Sequence, residues 1–272
     1  MKKILITGAN SYIGTSFEKS LKHWSENYLV DTVDMIDGTW REKSFSGYDV
    51  VFHVAGIAHI KETKENAELY YKVNRDLVYE VAYKSKAEGV KQFIFLSSMS
   101  VYGMEIGIIS KDNVPMPKSN YGKSKLQAED LIAPLEDSTF KIAVLRPPMI
   151  YGKGCKGNYV RLVKFALNSP IFPNIENKRS MIYIDNLCEF IKQIIDYESK
   201  GLFLPQNDKY VCTSDMVKEI AEAHGKKIYM TKLFNPLLRV LKVSTVNKVF
   251  GDLVYEKESS VVEINEIHNI SR

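Results

Sequence analysis

Apolar residues recur along this chain in two alternating rhythms. Short unbroken runs at Lys3–Thr7, Tyr28–Met35, Asp49–Val54, Gln92–Leu96 and Phe140–Leu145 are rich in Ile, Val, Leu and Phe and predict strands. Between them the spacing turns helical: Ile13, Phe17 and Leu21 within residues 12–24, and Leu69, Val73, Leu77, Val78 and Val81 within 63–88. A further helix is predicted over 119–132. Strands apolar throughout, alternating with helices, predict the α/β class with a doubly wound parallel sheet covered on both faces. Ligands of such sheets bind beyond the carboxyl ends of the strands.

After residue 147 the rhythm breaks. Pro and Gly cluster at 147–157, and a helix is expected near 158–167. A strand at Met181–Ile184 follows, then helices near 185–197, 213–224 and 236–249. The expected division is a nucleotide-binding unit at 1–147, with a return near 181–204. Residues 148–180 and 205–272 then form a smaller, discontinuous α/β lobe for substrate.

Charge and cysteine content narrow the possibilities. The 272 residues carry a net charge of +4, but 37 basic and 33 acidic residues are interspersed. With no basic block of five or more, neither nucleic acid nor a membrane is an expected partner. Cys155, Cys188 and Cys212 have irregular spacing and no histidine cluster, which predicts reduced thiols and no metal. His53 alone is expected to be a core histidine. No run approaches the roughly 20 apolar residues of a membrane helix. The expected location is the cytoplasm.

The first strand enters Thr7-Gly8-Ala9-Asn10-Ser11-Tyr12-Ile13-Gly14 and a helix. Gly8 allows the tight turn and Gly14 lets the helix pack against the sheet. The amides of the first helical turn then face a pyrophosphate, so Gly8, Asn10, Ser11, Tyr12, Ile13 and Gly14 are candidate dinucleotide contacts. This marks the sheet as a Rossmann type. Asp34, 20 residues past Gly14, is placed to accept from ribose hydroxyls and repel a 2′-phosphate, which favours NAD. Asp31 and Asp37 are alternatives, and the nearby Arg41 leaves NADP open. Val54, Ala55 and Gly56 close the third strand and offer a small-residue surface to a ribose.

Tyr121 and Lys125, at i and i+4, share a helix face. A phenol with a pKa of about 10 needs two or three units of depression, roughly 3–4 kcal/mol, to serve as a base at neutral pH. An adjacent ammonium and a cationic nicotinamide ring are expected to supply it. The preceding strand ends in Ser97-Ser98-Met99-Ser100, whose hydroxyls can bond a carbonyl or a hydroxyl under oxidation.

TGANSYIG, HVAG, FIFLSSMSVYG, YGKSK and RPPMIYG, in this order over about residues 1–190, resemble the NAD-dependent epimerase/dehydratase family of extended short-chain dehydrogenases. The resemblance implies nucleotide-sugar chemistry, with Ser98, Tyr121 and Lys125 catalytic. Tyr121, Lys125 and Pro148 would also contact the dinucleotide, and Asn74 would be a structural asparagine. Ser100, Asn158 and Arg179 would bind substrate, Asn158 opening a helix toward the diphosphate and Arg179 gripping it.

Two departures bear on the sugar. Pro148 and Met149 stand where 4-epimerases of the family carry an aromatic and an asparagine, and Glu256–Arg272 lacks the usual closing motif. The expected activity is 4-epimerisation of a nucleotide sugar, UDP-linked. The alternatives are reduction of a 4-keto nucleotide sugar and, more remotely, a non-catalytic dinucleotide sensor. A homodimer through the helices near 63–88 and 119–132 is also implied.

Overall fold

The computed structural model describes residues 1–58, 60–241 and 243–257. Its strands are β1 (Lys2–Thr7), β2 (Tyr28–Val33), β3 (Val50–His53), β4 (Gln92–Leu96), β5 (Gly107–Ile109) and β6 (Lys141–Leu145). Then come β7 (Met149–Tyr151), β8 (Ile171–Pro173), β9 (Met181–Tyr183), β10 (Gly201–Phe203), β11 (Tyr229–Thr231) and β12 (Leu253–Tyr255). The helices are α1 (Tyr12–Leu21), α2 (Ala67–Tyr71), α3 (Leu77–Ala87), α4 (Asn120–Ile132), α5 (Asn158–Asn168), α6 (Ile184–Asp196), α7 (Thr213–Ala223), α8 (Asn235–Val240) and α9 (Ser244–Phe250).

Six parallel strands form one sheet in the order β10-β6-β4-β3-β1-β2. Their alternation sorts side chains onto two cores. Ile4, Ile6, Val50, Phe52 and Ile94 face α1 and α6, meeting Phe17, Leu21, Leu187, Ile191 and Ile194. Leu5, Val51, Phe93 and Phe95 face the other way, onto Val78, Val81 and Ala82 of α3 and Ala128 and Ile132 of α4. Both faces of each central strand are therefore dry, which explains why these strands read as unbroken apolar runs. The doubly wound parallel sheet expected from the sequence is present. Its strand order reverses at β1, with β2 on one side and β3 on the other, and the carboxyl ends there flank a cleft.

A third core joins Leu162 and Ala166 of α5 to Met216, Val217 and Ile220 of α7, with Phe172 and Met181. Two-stranded pairings β7–β9, β8–β11 and β5–β12 lie outside the main sheet.

Three elements differ from expectation. The helix of 63–88 begins only at Ala67 and contains a π turn, Lys72–Asp76, between α2 and α3. The single helix of 236–249 is two short ones, α8 and α9, with Leu241 and Val243 extended between them. The sixth strand, β10, is too short at three residues to carry a periodic signal. Of the tail Glu256–Arg272, everything from Glu258 on lies outside the described residues.

Candidate active site

The turn after β1 is built as an anion cradle. Gly8 has φ +81° and Asn10 φ +65°, a left-handed conformation that asparagine tolerates better than most side chains. Ser11 caps α1, its Oγ accepting from Gly14 N at 3.1 Å. One lone pair of Oγ is thus engaged with the helix, which leaves the hydroxyl able to donate to a phosphate. The amides of Tyr12 and Ile13 have no protein acceptor among the described residues. With the positive end of the helix dipole they suit a diphosphate.

A Cβ on Gly14 would lie 2.6 Å from Ser11 Oγ and 3.2–3.3 Å from Ile6 and Val54. Gly14→Ala is therefore expected to lower NAD affinity by about tenfold, since the cap must open or α1 must lift. Isothermal titration calorimetry checks it.

Ala55 lies against this turn, and Gly56 faces Asn74, where a Cβ would come within 2.8 Å of Oδ1. Asn74 sits in the π turn, fully buried. Its Oδ1 accepts from Ile57 N, while its Nδ2 donates to Ile57 O (both 2.9 Å) and Ser124 Oγ (3.4 Å). It thus ties α4 to the loop after β3, as a structural asparagine should. His53 is also fully buried, with Nδ1 2.9 Å from Thr7 Oγ1; burial holds it neutral, with a pKa of about 3.

Asp34 follows β2, lines the cleft, and accepts from Ile36 N at 2.8 Å. Asp31 is instead taken by the Tyr48 hydroxyl (2.6 Å), and Asp37 caps the turn at Thr39. Arg41 lies over the Trp40 ring and pairs with Glu80.

The strand β4 delivers Ser98, and α4 delivers Tyr121 and Lys125. Ser98 Oγ accepts from Ser100 N and donates to Ser100 Oγ (both 3.1 Å), and Ser98 acts to lower the pKa of the Tyr121 phenol. Lys125 Nζ donates to the Leu96 carbonyl at 2.9 Å and lies 4.7 Å from the Phe95 ring centroid. The first turn of α4 is fixed from outside the helix. Glu62 accepts from the amides of Asn120 (3.0 Å) and Tyr121 (3.1 Å), and Ser119 accepts from Gly122 (3.1 Å). Sequence reading missed Glu62, which is 58 residues from Asn120 and belongs to no recognisable spacing.

Behind Lys125, one turn along α4, the Glu129 carboxylate takes Arg146 Nε (3.1 Å to each oxygen) and Nη2. It also accepts from the Ser97 hydroxyl. Arg146 Nη1 donates to the Tyr102 hydroxyl at 2.9 Å, and the Tyr255 hydroxyl donates to Arg146 O at 2.6 Å. This buried network was also missed, although RPPMIYG contains its arginine.

In the chain without dinucleotide, burial dominates the electrostatics of Tyr121. Burial raises the Tyr121 pKa above its ordinary value, and the bond from Ser98 opposes this only in part. Lys125 is not among the groups that shift it, and Nζ donates to the Leu96 carbonyl. Burial lowers Lys125 itself to about 8, with Glu129 acting to raise it.

The sign for stability follows. Below pH 8 both folded and unfolded chains carry the Lys125 proton, and the folded state bears the full cost of the buried charge. Between about 8 and the ordinary lysine value of 10.5 only the unfolded chain keeps it, so folding gains up to about 3 kcal/mol over that window. Lys125→Met should abolish this alkaline gain, and denaturant unfolding of both proteins from pH 7 to 10.5 measures it.

On the far side of the cleft, Pro148 is buried at its wall and Met149 half-buried. Asn158 is exposed as the first residue of α5, after Gly157. Arg179 lines the same cleft, but its Nη1 donates to Gly251 O (3.1 Å) and Asn247 O (3.4 Å), at the end of α9. Every sequence-predicted site residue thus borders one cleft of about 1920 Å³, with Gly14 packed immediately beneath it. Among the described residues no group of His, Cys, Asp and Glu is placed to hold a metal, and no helix is long and apolar enough to cross a membrane.

A six-stranded doubly wound sheet, a glycine turn at its switch point and a Ser–Tyr–Lys set beside it define an enzyme of the extended short-chain dehydrogenase class. Residues 4–203 match the model of the NAD-dependent epimerase/dehydratase family, to which the chain belongs.

Among its relatives is a UDP-glucose 4-epimerase of Vibrio cholerae, 32% identical over 93% of this chain and 86% of the relative. An N-acetyl-alpha-D-glucosaminyl-diphospho-ditrans,octacis-undecaprenol 4-epimerase of Escherichia coli O157:H7 is 28% identical over 86% of this chain and 76% of its own. The fold is shared with a UDP-glucuronic acid 4-epimerase of Bacillus cereus in complex with NAD (TM-score 0.75, 19% identity, 99% and 92% of the two chains). It is also shared with a dTDP-4-dehydrorhamnose reductase of Clostridium acetobutylicum (TM-score 0.69, 24% identity, 84% and 82%).

Proposed function

We propose that this enzyme inverts C4 of a nucleotide-diphosphate sugar by transient oxidation, with Tyr121 as the acid–base residue. The observation that carries this reading is the convergence of Ser98, Tyr121 and Lys125 in the cleft that also holds the glycine turn. A nicotinamide dinucleotide held by the glycine turn, Asp34 and Lys125 would supply a reversible hydride acceptor for C4.

The protein's own part is to move the proton. Tyr121, as phenolate, takes the C4 hydroxyl proton, and the Ser98 hydroxyl donates to the same oxygen as it becomes a carbonyl. Because burial raises the Tyr121 pKa, the phenolate depends on positive charge gathered when the cleft is filled. The steps then reverse on the opposite face of the sugar, and Tyr121 gives the proton back. No net redox change results.

Asp34 at the end of β2, and Arg41 engaged by Glu80, support NAD over NADP. The α5 amino terminus at Asn158 and the Arg179 guanidinium support a diphosphate. The names of the Vibrio and Escherichia relatives both support reaction at C4 of a sugar carried on a diphosphate, and the Vibrio name supports UDP as the carrier. Pairing of two copies through α3 and α4, whose outer faces expose Tyr79, Tyr83 and Leu131, belongs to the same reading.

Pro148 and Met149 at the cleft wall favour a second reading, reduction of a 4-keto nucleotide sugar with net consumption of NADH or NADPH. Incubation with UDP-glucose and UDP-N-acetylglucosamine, and separately with 4-keto sugar nucleotides, separates the two. Inverted product without change in reduced-cofactor absorbance supports epimerisation. Absorbance loss equal to product formed would establish the reductase instead.

A further inference from the structure

A surface helix ordinarily turns its apolar stripe inward. The short helix α8 and the turn before it do the opposite. Leu233, Leu237 and Val240 are 79%, 61% and 77% exposed, and Phe234 and Leu241 extend the same i, i+3, i+4 stripe outward. The helix is held on its inner side by Asn235 Nδ2, which donates to Asn174 O at 2.7 Å. The outward stripe is therefore a fixed feature of this surface.

The charge carried by this segment is one-sided. Residues 226–250 contain Lys226, Lys227, Lys232, Arg239, Lys242 and Lys248 and not one aspartate or glutamate. Lys248 pairs with Glu105 of another segment, while Lys226, Lys227 and Lys232 are exposed. A count over the whole chain hides this because the cations are interleaved with apolar residues and form no block.

We infer that this face docks on an anionic bilayer surface, with the α8 stripe entering the headgroup layer and the flanking lysines meeting lipid phosphates. Exposed apolar side chains interleaved with cations, in a segment without an acidic residue, are the composition that binds at such interfaces. A second copy of the chain fits less well, because a two-fold pairing would set the same lysines against one another. The contact also has a consequence for access. α9 follows α8 directly and lines the substrate end of the cleft with Thr245, Lys248 and Val249. Docking would hold that end of the cleft beside the membrane.

The test is co-sedimentation of the full chain with vesicles of phosphatidylglycerol and phosphatidylcholine in equal parts, and with phosphatidylcholine alone. The protein is expected to pellet with the anionic vesicles only and to be released by high salt. The double variant Leu237→Asp, Val240→Asp should bind about tenfold more weakly or worse. Its NAD affinity and thermal melting should be unchanged, because both side chains are exposed. Equal binding to both vesicle types, binding to neither, or a variant that pellets like wild type would overturn the inference. So would a wild-type dimer in gel filtration that the variant converts to monomer, which would make this face a contact between copies. None of these outcomes depends on which reaction occurs in the cleft.

Discussion

Tyr121→Phe should lower turnover by about a hundred- to ten-thousand-fold, the range that a positioned acid–base group contributes. The ring keeps its place, because α4 is anchored through backbone amides by Glu62 and Ser119 and not through the phenol. NAD affinity and melting temperature should therefore stay close to wild type. Ser98→Ala should cost less, since it removes one donor and one bond to the phenol but leaves the proton carrier in place. Equal losses for the two variants would mean that Tyr121 positions substrate and does not move a proton. Steady-state rates with calorimetric NAD binding distinguish these outcomes.

The second large effect concerns folding. Glu129→Ala should destabilise the protein by about 3–5 kcal/mol, measured by urea unfolding at neutral pH. Burial opposes the charge on Arg146, and its bonds to Glu129 outweigh that cost. Removing the carboxylate leaves a guanidinium sealed between α4 and Tyr102 with one neutral partner, and it orphans the Ser97 hydroxyl. Replacing both Glu129 and Arg146 with apolar residues should be milder than Glu129→Ala alone, because no buried charge is then stranded. Glu129 also raises the Lys125 pKa from one turn away, so Glu129→Ala should move the alkaline stability window of Lys125 downward.

The sheet was legible because its central strands are dry on both sides. Ile4, Leu5 and Ile6 alternate between two cores, and only an unbroken apolar run can satisfy that. The glycine turn and the Tyr121–Lys125 pair were legible because local geometry fixes their spacing. Contacts between distant segments were not. Glu62 meets α4 across 58 residues and Glu129 meets Arg146 across 17, with no periodicity to mark either. The π turn at Asn74 lies within a continuous helical pattern, and its offset is set by the loop that Asn74 grips.

The raised pKa of Tyr121 in the free chain was not legible for a related reason. Sequence places an ammonium one turn away but does not say where it points, and Lys125 points at a carbonyl. Arg179 lines the cleft, yet the carbonyls ending α9 already share its fork, which no spacing in the sequence marks.

The account turns on whether the C4 hydrogen returns to the sugar it left. UDP-glucose carrying deuterium at C4 is incubated with the enzyme, and the product is read by mass spectrometry and proton NMR. Inverted product that retains its deuterium, with no accumulation or loss of reduced cofactor, is the predicted result. Product that has lost the label to solvent or to the free cofactor pool would contradict transient oxidation and return within one cleft.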